Sequence, residues 1–217
     1  MEDVVIYGNG PVAKTAYYSL TYDSTYKVEA FTVDRQVIEE RNLFGLPVVP
    51  FDEVVQLLSP DKYKMFVAVG YGKVNKLRAD RYCQVMDKGY SFITYVSSRA
   101  VTLPDLHIGD NCFIGANTII QQSVKIGNNV IVRDNSFIGH NTTIKDHCFI
   151  AACAAISGKV TIEERCFIGI NASLRDDIHV GKECTIGAGV SMLHDAREGE
   201  VYMNKNAQKL PLTSEQL

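Results

Sequence analysis

The chain has no CxxC pair, no long run of like charge, no stretch near the about 20 apolar residues a membrane span needs, and no tryptophan. Each of the first three absences removes a class of function. Without a CxxC pair the six cysteines do not read as a zinc or disulfide framework. Without charge runs, and with a net charge of −3, the chain does not read as a general binder of nucleic acid or membrane surfaces. The start, "MEDVVIYGNGP", is acidic first and only briefly apolar, so it does not read as a signal peptide, and a cytoplasmic location is expected. What remains is an ordinary globular composition, 46% hydrophobic and 22% charged, over 217 residues.

Two halves follow different rules. Residues 1–96 alternate strand and helix signals: "VVIYG" from Val4, "KVEAFTV" from Lys27 and "MFVAVG" from Met65 read as strands. Segments 52–58 and 74–88 read as helices, and "FITYV" closes the half. This pattern predicts a small parallel sheet flanked by helices. Gly8-Asn9-Gly10 follows the first strand, and Pro11 suits the first position of a helix. Such a turn lets an anion approach the backbone at a helix N-terminus, so Gly8 and Gly10 are candidate ligand contacts. Asp34 and Arg35, just past the second strand, and the turn Gly70-Tyr71-Gly72 fall on the same expected sheet edge. An NAD site is the competing interpretation, but fewer than 100 residues leave little room for both halves of a dinucleotide fold.

From Leu106 onward the period is six. Starting at Ile108 and stepping by six, fifteen successive positions to Met192 are aliphatic or Met, without a slip. Several repeats open with Ile-Gly: "IGDN", "IGAN", "IGNN", "IGHN", "IGIN". A hexapeptide period marks a β-helix whose repeats each supply a short strand and a corner. With three repeats per coil, residues 18 apart stack about one strand spacing, or about 4.8 Å, apart. Cys112, Val130, Cys148, Cys166 and Cys184 then form one column of small core residues. The same arithmetic stacks Gln122, His140, Gly158 and Asp176, setting an imidazole beside a glycine.

An αβ half opening with Gly-x-Gly, an unbroken hexapeptide half, "IGHN", and "SGKV" with its glycine 18 residues after the histidine form a distinctive set. It resembles the bacterial sugar acyltransferases that modify nucleotide-linked amino sugars, and the related sialic acid O-acetyltransferases. The resemblance implies an α/β Rossmann-like domain over 1–96 that binds the nucleotide sugar. It also implies an all-β, left-handed parallel β-helix over 97–217, a homotrimer, and acetyl-CoA as cosubstrate without a metal. His140 matches the family's general base, and an imidazole can take the proton an amine or hydroxyl loses on attacking a thioester. Gly158 matches a glycine whose N–H faces the thioester carbonyl.

Three departures stand out. Asn141 replaces the acid that usually follows the histidine, and an amide orients an imidazole without stabilising its cation. Phe149 stands where the family often has a second histidine. The tail "VYMNKNAQKL" alters the usual Gly-x-Pro-Ala-Lys segment, although Lys205 and Lys209 remain candidate contacts for CoA phosphates. Asn141 favours an amine acceptor, since a free amine depends less on a strong base. O-acylation, zinc-dependent hydration through His107, His140, His147, His179 and His194, and a non-catalytic nucleotide-sugar-binding trimer are the alternatives. The position of His147 in the repeat sets it apart from His140.

Overall fold

A computed structural model describes residues 2–205. The N-terminal half runs β1 (Glu2–Tyr7), α1 (Pro11–Tyr22), β2 (Tyr26–Val33), β3 (Asn42–Leu43), β4 (Leu46–Pro50), α2 (Val54–Leu57), β5 (Lys64–Val67) and α3 (Lys76–Asp87). The sheet order is β3-β4-β2-β1-β5, parallel except for the β3–β4 hairpin. Its strands are buried on both sides. Ile6, Phe31 and Phe66 meet Ala13, Ala16 and Leu20 of α1, while Val5, Ala30, Met65 and Val67 meet Val54 and Val85. This explains why these strands read as continuous apolar runs rather than alternating ones. The chain steps from β1 through β2 to β4 on one side and then crosses to put β5 on the other. The carboxyl ends of β1 and β5 therefore frame the crevice in which such sheets hold ligands.

The β3–β4 hairpin is absent from the sequence-based expectation. Pro47 and Pro50 disguise β4, and the turn is made by Phe44 (φ 54°) and Gly45 (φ 80°), a tight geometry usually signalled by Asn-Gly.

The second half is a three-walled left-handed prism of two-residue strands six residues apart. Residues 18 apart pair in parallel, as in Ile114–Val132–Ile150–Ile168–Ile186. The walls contain seven, five and five strands. The inward aliphatics from Ile114 to Met192 are buried and form one continuous core. Each such side chain contributes about 1.5–3 kcal/mol on leaving water. The cysteine column is also fully buried, so its thiols are core groups. Cys148 and Cys166 Sγ each donate to a corner carbonyl, Glu163 O and Gly181 O respectively, at 3.0 Å.

The third residue after each inward aliphatic, from Asn111 to Gly189, has a left-handed backbone. Asn tolerates that conformation better than most residues, and Asn111, Asn117, Asn129, Asn135, Asn141 and Asn171 occupy such corners. Asn141 (φ 56°) therefore meets a requirement of the repeat before any chemistry is considered.

The halves meet on the seven-stranded wall. Its outward residues Phe113, Ile131 and Phe149 are buried and share one apolar cluster with Phe66, Ile93 and Tyr95. The segment "FITYV" divides between the halves. Phe92 bridges to Met65 of the first sheet, whereas Tyr95–Val96 pairs with Phe113–Ile114 as the first rung of the prism. The boundary expected after residue 96 thus falls beyond that rung. Polar groups stitch the seam. The Val67 N–H donates to Asn111 Oδ1 (2.7 Å), Asn111 Nδ2 to Asn129 Oδ1 (2.7 Å), and Asn129 Nδ2 lies 2.9 Å from His147 Nδ1. His147 is thus one corner above Asn129, under Tyr82 of α3, and acts as a seam residue. Among the described residues, no helix is long and apolar enough to cross a membrane.

Two outcomes follow from this packing. In the native protein, DTNB should react with the exposed Cys83 and Cys153 and reach Cys112, Cys148, Cys166 and Cys184 only after unfolding. Rapid native labelling of those four would contradict the column. His147 supplies the second. Burial, first, and the nearby Arg78 and Arg165 push its pKa down, against Asp146 and Glu164, so the folded state favours the neutral ring. The unfolded chain then takes up the proton first. Stability attributable to His147 is present above the unfolded value of about 6.5 and is lost as pH falls from there through the lower pKa of the folded state. Denaturant titrations from pH 7 to 5 should show a decline that is shallower in His147→Gln; equal slopes would contradict the assignment.

Candidate active site

His140 occupies the corner between Phe137–Ile138 and Thr143–Ile144. Its backbone is fixed by its neighbours: its N–H donates to Gln121 Oε1 (3.0 Å), and its carbonyl accepts from Lys159 N (2.7 Å). Gly139, buried just before it, lies so close to Ser157 that a Cβ there would be 2.4 Å from the Ser157 carbonyl carbon. One coil above is Gly158. A Cβ on Gly158 would fall 2.5 Å from His140 Nε2 and 2.6 Å from Cε1, so the imidazole fills the space a side chain would need. The expected stacking of His140 beneath Gly158 is thus a direct contact.

Asn141 places its side-chain nitrogen 3.1 Å from His140 Nδ1. With Nδ2 inward, the amide donates to Nδ1 and the ring proton sits on Nε2. With the amide turned over, Oδ1 accepts the Nδ1 proton and Nε2 carries the lone pair. A base acting through Nε2 uses the second arrangement.

One expectation requires correction. The Gly158 N–H does not point at an open site, because it donates to Asp176 Oδ1 at 2.8 Å. This is a recurring corner device: Asp134 accepts from Ala116 N–H, and Asp146 from Asn128 N–H, by the same 18-residue step. The Gly158 N–H is thus taken up within the prism, and what the position leaves to the imidazole is the space of a missing side chain.

At the other end of the molecule, the carboxyl edge of the first sheet opens into a cavity of about 570 Å³. Gly8, Gly10, Asp34, Gly70 and Tyr71 all line it, as expected from sequence. The two glycines of the first turn differ in their constraints. Gly8 (φ 129°) lies against Ala68, where a Cβ would be 2.7 Å from the carbonyl oxygen, whereas Gly10 faces open space. Asp34 is held from both sides: Tyr7 Oη donates to Oδ1 (2.9 Å) and the Arg81 guanidinium pairs with Oδ2. Burial and the Asp34 carboxylate push the Tyr7 pKa up, so Tyr7 remains a donor. Each carboxylate oxygen of Asp34 still has a lone pair for a ligand.

Arg35 does not join this cavity. Its guanidinium pairs with Asp52 and Glu53 and lines a separate depression with Arg41 and Val48. The 3₁₀ turn Arg35–Val37 carries its side chain away from the sheet edge. Lys205 is exposed just beyond the last strand, and Lys209 lies outside the described residues. Among the described residues, no group of three or more His, Cys, Asp or Glu could hold a metal ion. Sequence reasoning missed Tyr7, Leu77 and Arg81. All three lie inside strand or helix signals, where polar or apolar character alone does not show which face meets the cavity.

The two sites lie on opposite sides of the chain. The N-terminal half covers one prism wall, and the His140 corner is the edge shared by the other two. Tyr71, at the cavity rim, packs on the covered wall, 5.2 Å from Phe149 and 4.5 Å from Phe167 between ring centres.

Adding one methyl at residue 158 tests the contact between the imidazole and the glycine. Gly158→Ala must displace the ring, the free end of a side chain, so melting temperature should barely change. Any turnover that uses the His140 imidazole should fall at least about tenfold when the ring is misplaced. Unchanged transfer in Gly158→Ala would show that the stacked position of His140 does not matter.

The chain matches two family models, the bacterial transferase hexapeptide (six repeats) over 105–140 and 123–158, and the hexapeptide repeat of succinyl-transferase over 159–193. No curated protein sequence matches it. Among solved structures, it resembles a histidine-to-asparagine variant of perosamine N-acetyltransferase from Caulobacter crescentus, in complex with CoA and GDP-perosamine. The identity is 25%, with 93% of each chain covered and a TM-score of 0.83. The acetyltransferase domain of PglB from Neisseria gonorrhoeae, in complex with acetyl coenzyme A, has the same fold at 23% identity, covering 92% and 95%, with a TM-score of 0.81. WeeI from Acinetobacter baumannii shares the fold at 20% identity, covering 93% and 96%, with a TM-score of 0.80. With its hexapeptide repeats and a two-part fold matched over 93% of its length, this chain is an acyltransferase of the hexapeptide-repeat fold that resembles the nucleotide-sugar acetyltransferases.

Proposed function

We propose that the protein transfers an acetyl group from acetyl-CoA to the amino group of a nucleotide-linked amino-deoxysugar, with His140 as general base. The observation that carries this reading is the His140 imidazole seated against Gly158 on an otherwise regular prism corner. A relative with the same two-part architecture is complexed with CoA and GDP-perosamine, which supports a nucleotide-linked amino sugar as acceptor. The Gly8–Gly10 turn at the N-terminus of α1 suits the diphosphate. Asp34 suits N–H or hydroxyl donors on the base or ribose.

In the reaction, the amine nitrogen attacks the thioester carbonyl carbon, the C–N bond forms and the C–S bond breaks. His140 Nε2 takes a proton from the attacking nitrogen and returns it to the departing sulfur, so the products are an amide and a thiol. Asn141 offers the imidazolium a dipole rather than a charge, which suits an amine more than a hydroxyl. Lys205, exposed beyond the last strand, and Lys209, from sequence alone, are assigned to the phosphates of CoA. Because His140 faces away from the cavity of its own chain, the acceptor held by one subunit is served by His140 of a neighbour. This arrangement requires the homotrimer expected for the family. A cytoplasmic location fits a consumer of acetyl-CoA.

Purified protein should be incubated with acetyl-CoA and GDP-, UDP- and dTDP-linked amino sugars, following thiol release and product mass. One acetyl gain is expected for one acceptor class, with His140→Ala slower by about 10²- to 10⁴-fold. In Asn141→Asp, a carboxylate beside the ring should move the acidic limb of the rate profile to higher pH. Nucleotide-sugar binding without transfer from any donor would instead identify a non-catalytic binding trimer, and acetylation of a hydroxyl would identify an O-acetyltransferase.

A further inference from the structure

Between the cavity and the prism lies a backbone segment with an unusual conformation. Lys73, Val74 and Asn75 are consecutive left-handed residues, with φ of 53°, 52° and 60°. A β-branched valine rarely adopts this conformation, and a run of three persists only where the surroundings hold it. The segment connects Gly70-Tyr71-Gly72, on the cavity rim, to the first turn of α3.

The surroundings that hold it belong to the prism. Asn75 is fully buried, and its Nδ2 donates to Cys166 O (2.9 Å) and Arg165 O (3.2 Å). One helical turn on, Arg78 is fully buried as well. Its Nη1 donates to the Asn129 backbone carbonyl and to Asn129 Oδ1 (3.1 Å). Its Nη2 donates to His147 O (2.9 Å), Cys148 O (3.0 Å) and Asn75 Oδ1 (3.1 Å). No carboxylate pairs with it among the described residues, and Nε has no partner. Burial lowers its pKa to about 10, which still leaves it charged at neutral pH. A guanidinium buried without a counter-ion is costly, and a long apolar side chain would fill the same space at lower cost. What the guanidinium adds is geometry: together with Asn75 it ties carbonyls of three successive coils to one helix end. The other side of that helix lines the cavity through Leu77 and Arg81.

We infer that Asn75 and Arg78 are positioning residues for acyl transfer: they lock the strained turn and α3 onto the prism, and so set where the cavity presents its ligand. This rests on the reading of the cavity as the acceptor site. Neither residue touches the ligand space, so the lock governs placement rather than affinity.

Asn75→Gly is the most selective test, because glycine adopts the left-handed turn freely while losing both bonds to the prism. Arg78→Met removes the charge, and Arg78→Lys retains a donor for the same carbonyls. Wild type and variants are assayed as the full chain with the panel acceptor that wild type uses fastest. GDP, UDP and dTDP affinities are measured in parallel by calorimetry. At saturating acetyl-CoA and acceptor, Asn75→Gly and Arg78→Met should lower kcat by about 10- to 100-fold, the effect of misplacing a reactant by an ångström or so. Nucleotide affinity should stay within about threefold of wild type, as expected if uniform binding is untouched, with partial recovery of kcat in Arg78→Lys. A full kcat in Asn75→Gly and in a folded Arg78 variant overturns the inference and leaves the pair a purely structural seam. Nucleotide affinity falling as much as kcat also overturns it, since the pair would then shape the cavity itself. Failure of the underlying reading is distinct, because wild type itself would then transfer nothing to any nucleotide sugar.

Discussion

Everything the prism offers, from its core to the His140 corner and the seam, depends on residues 18 apart lying directly above one another. The stacking is enforced by the inward aliphatic column, buried without interruption from Ile114 to Met192. A slip of one residue would turn that column outward and forfeit the core. Because the core cannot slip, the surface cannot either, and a histidine placed 18 residues before a glycine must meet it. The contact between His140 and Gly158 is thus inherited from hydrophobic registration rather than built by a dedicated loop. The same registration raises the cysteine column in the interior and the column Asn111, Asn129, His147, Arg165 along the seam.

The repeat also constrains what chemistry can be added. Each corner needs a left-handed residue, and the residue after His140 occupies one. Asn141 satisfies the backbone and orients the ring, but it brings no charge to stabilise an imidazolium. The Gly158 N–H is likewise engaged by the coil above, so that position offers the imidazole only space. The regular solenoid thereby supplies a fixed imidazole beside a gap. The Gly8–Asp34 cavity belongs to a separate sheet, whose crevice follows from the crossover to β5.

Much of this was legible in the sequence for physical reasons. A period-six pattern over fifteen positions has no competing structure, so the prism, the cysteine column and the His140–Gly158 stack could all be read. The cavity residues Gly8, Gly10, Asp34, Gly70 and Tyr71 could be read because ligand crevices sit at strand ends, which apolar runs reveal. Arg35 could not, since a single 3₁₀ turn decides whether the next side chain faces the crevice or the outside. The engagement of the Gly158 N–H is not legible in the sequence, since it depends on Asp176, which a family pattern centred on the glycine leaves out. Arg78 and Asn75 were invisible: a basic residue in a helix reads as solvent-facing, and only the docked prism shows that this one is buried. The β3–β4 hairpin was hidden by its prolines.

In the proposed reaction two sites on opposite sides of one chain act together, and a structure with both substrates bound tests this most directly. A crystal structure of the His140→Asn variant with CoA and the accepted nucleotide sugar should show a trimer. The sugar's amino nitrogen should lie within about 3 Å of the position of His140 Nε2 in a neighbouring subunit, hydrogen-bonding reach for a general base. A nucleotide sugar in the Gly8–Asp34 cavity whose amine lies far from every residue 140 would contradict the account.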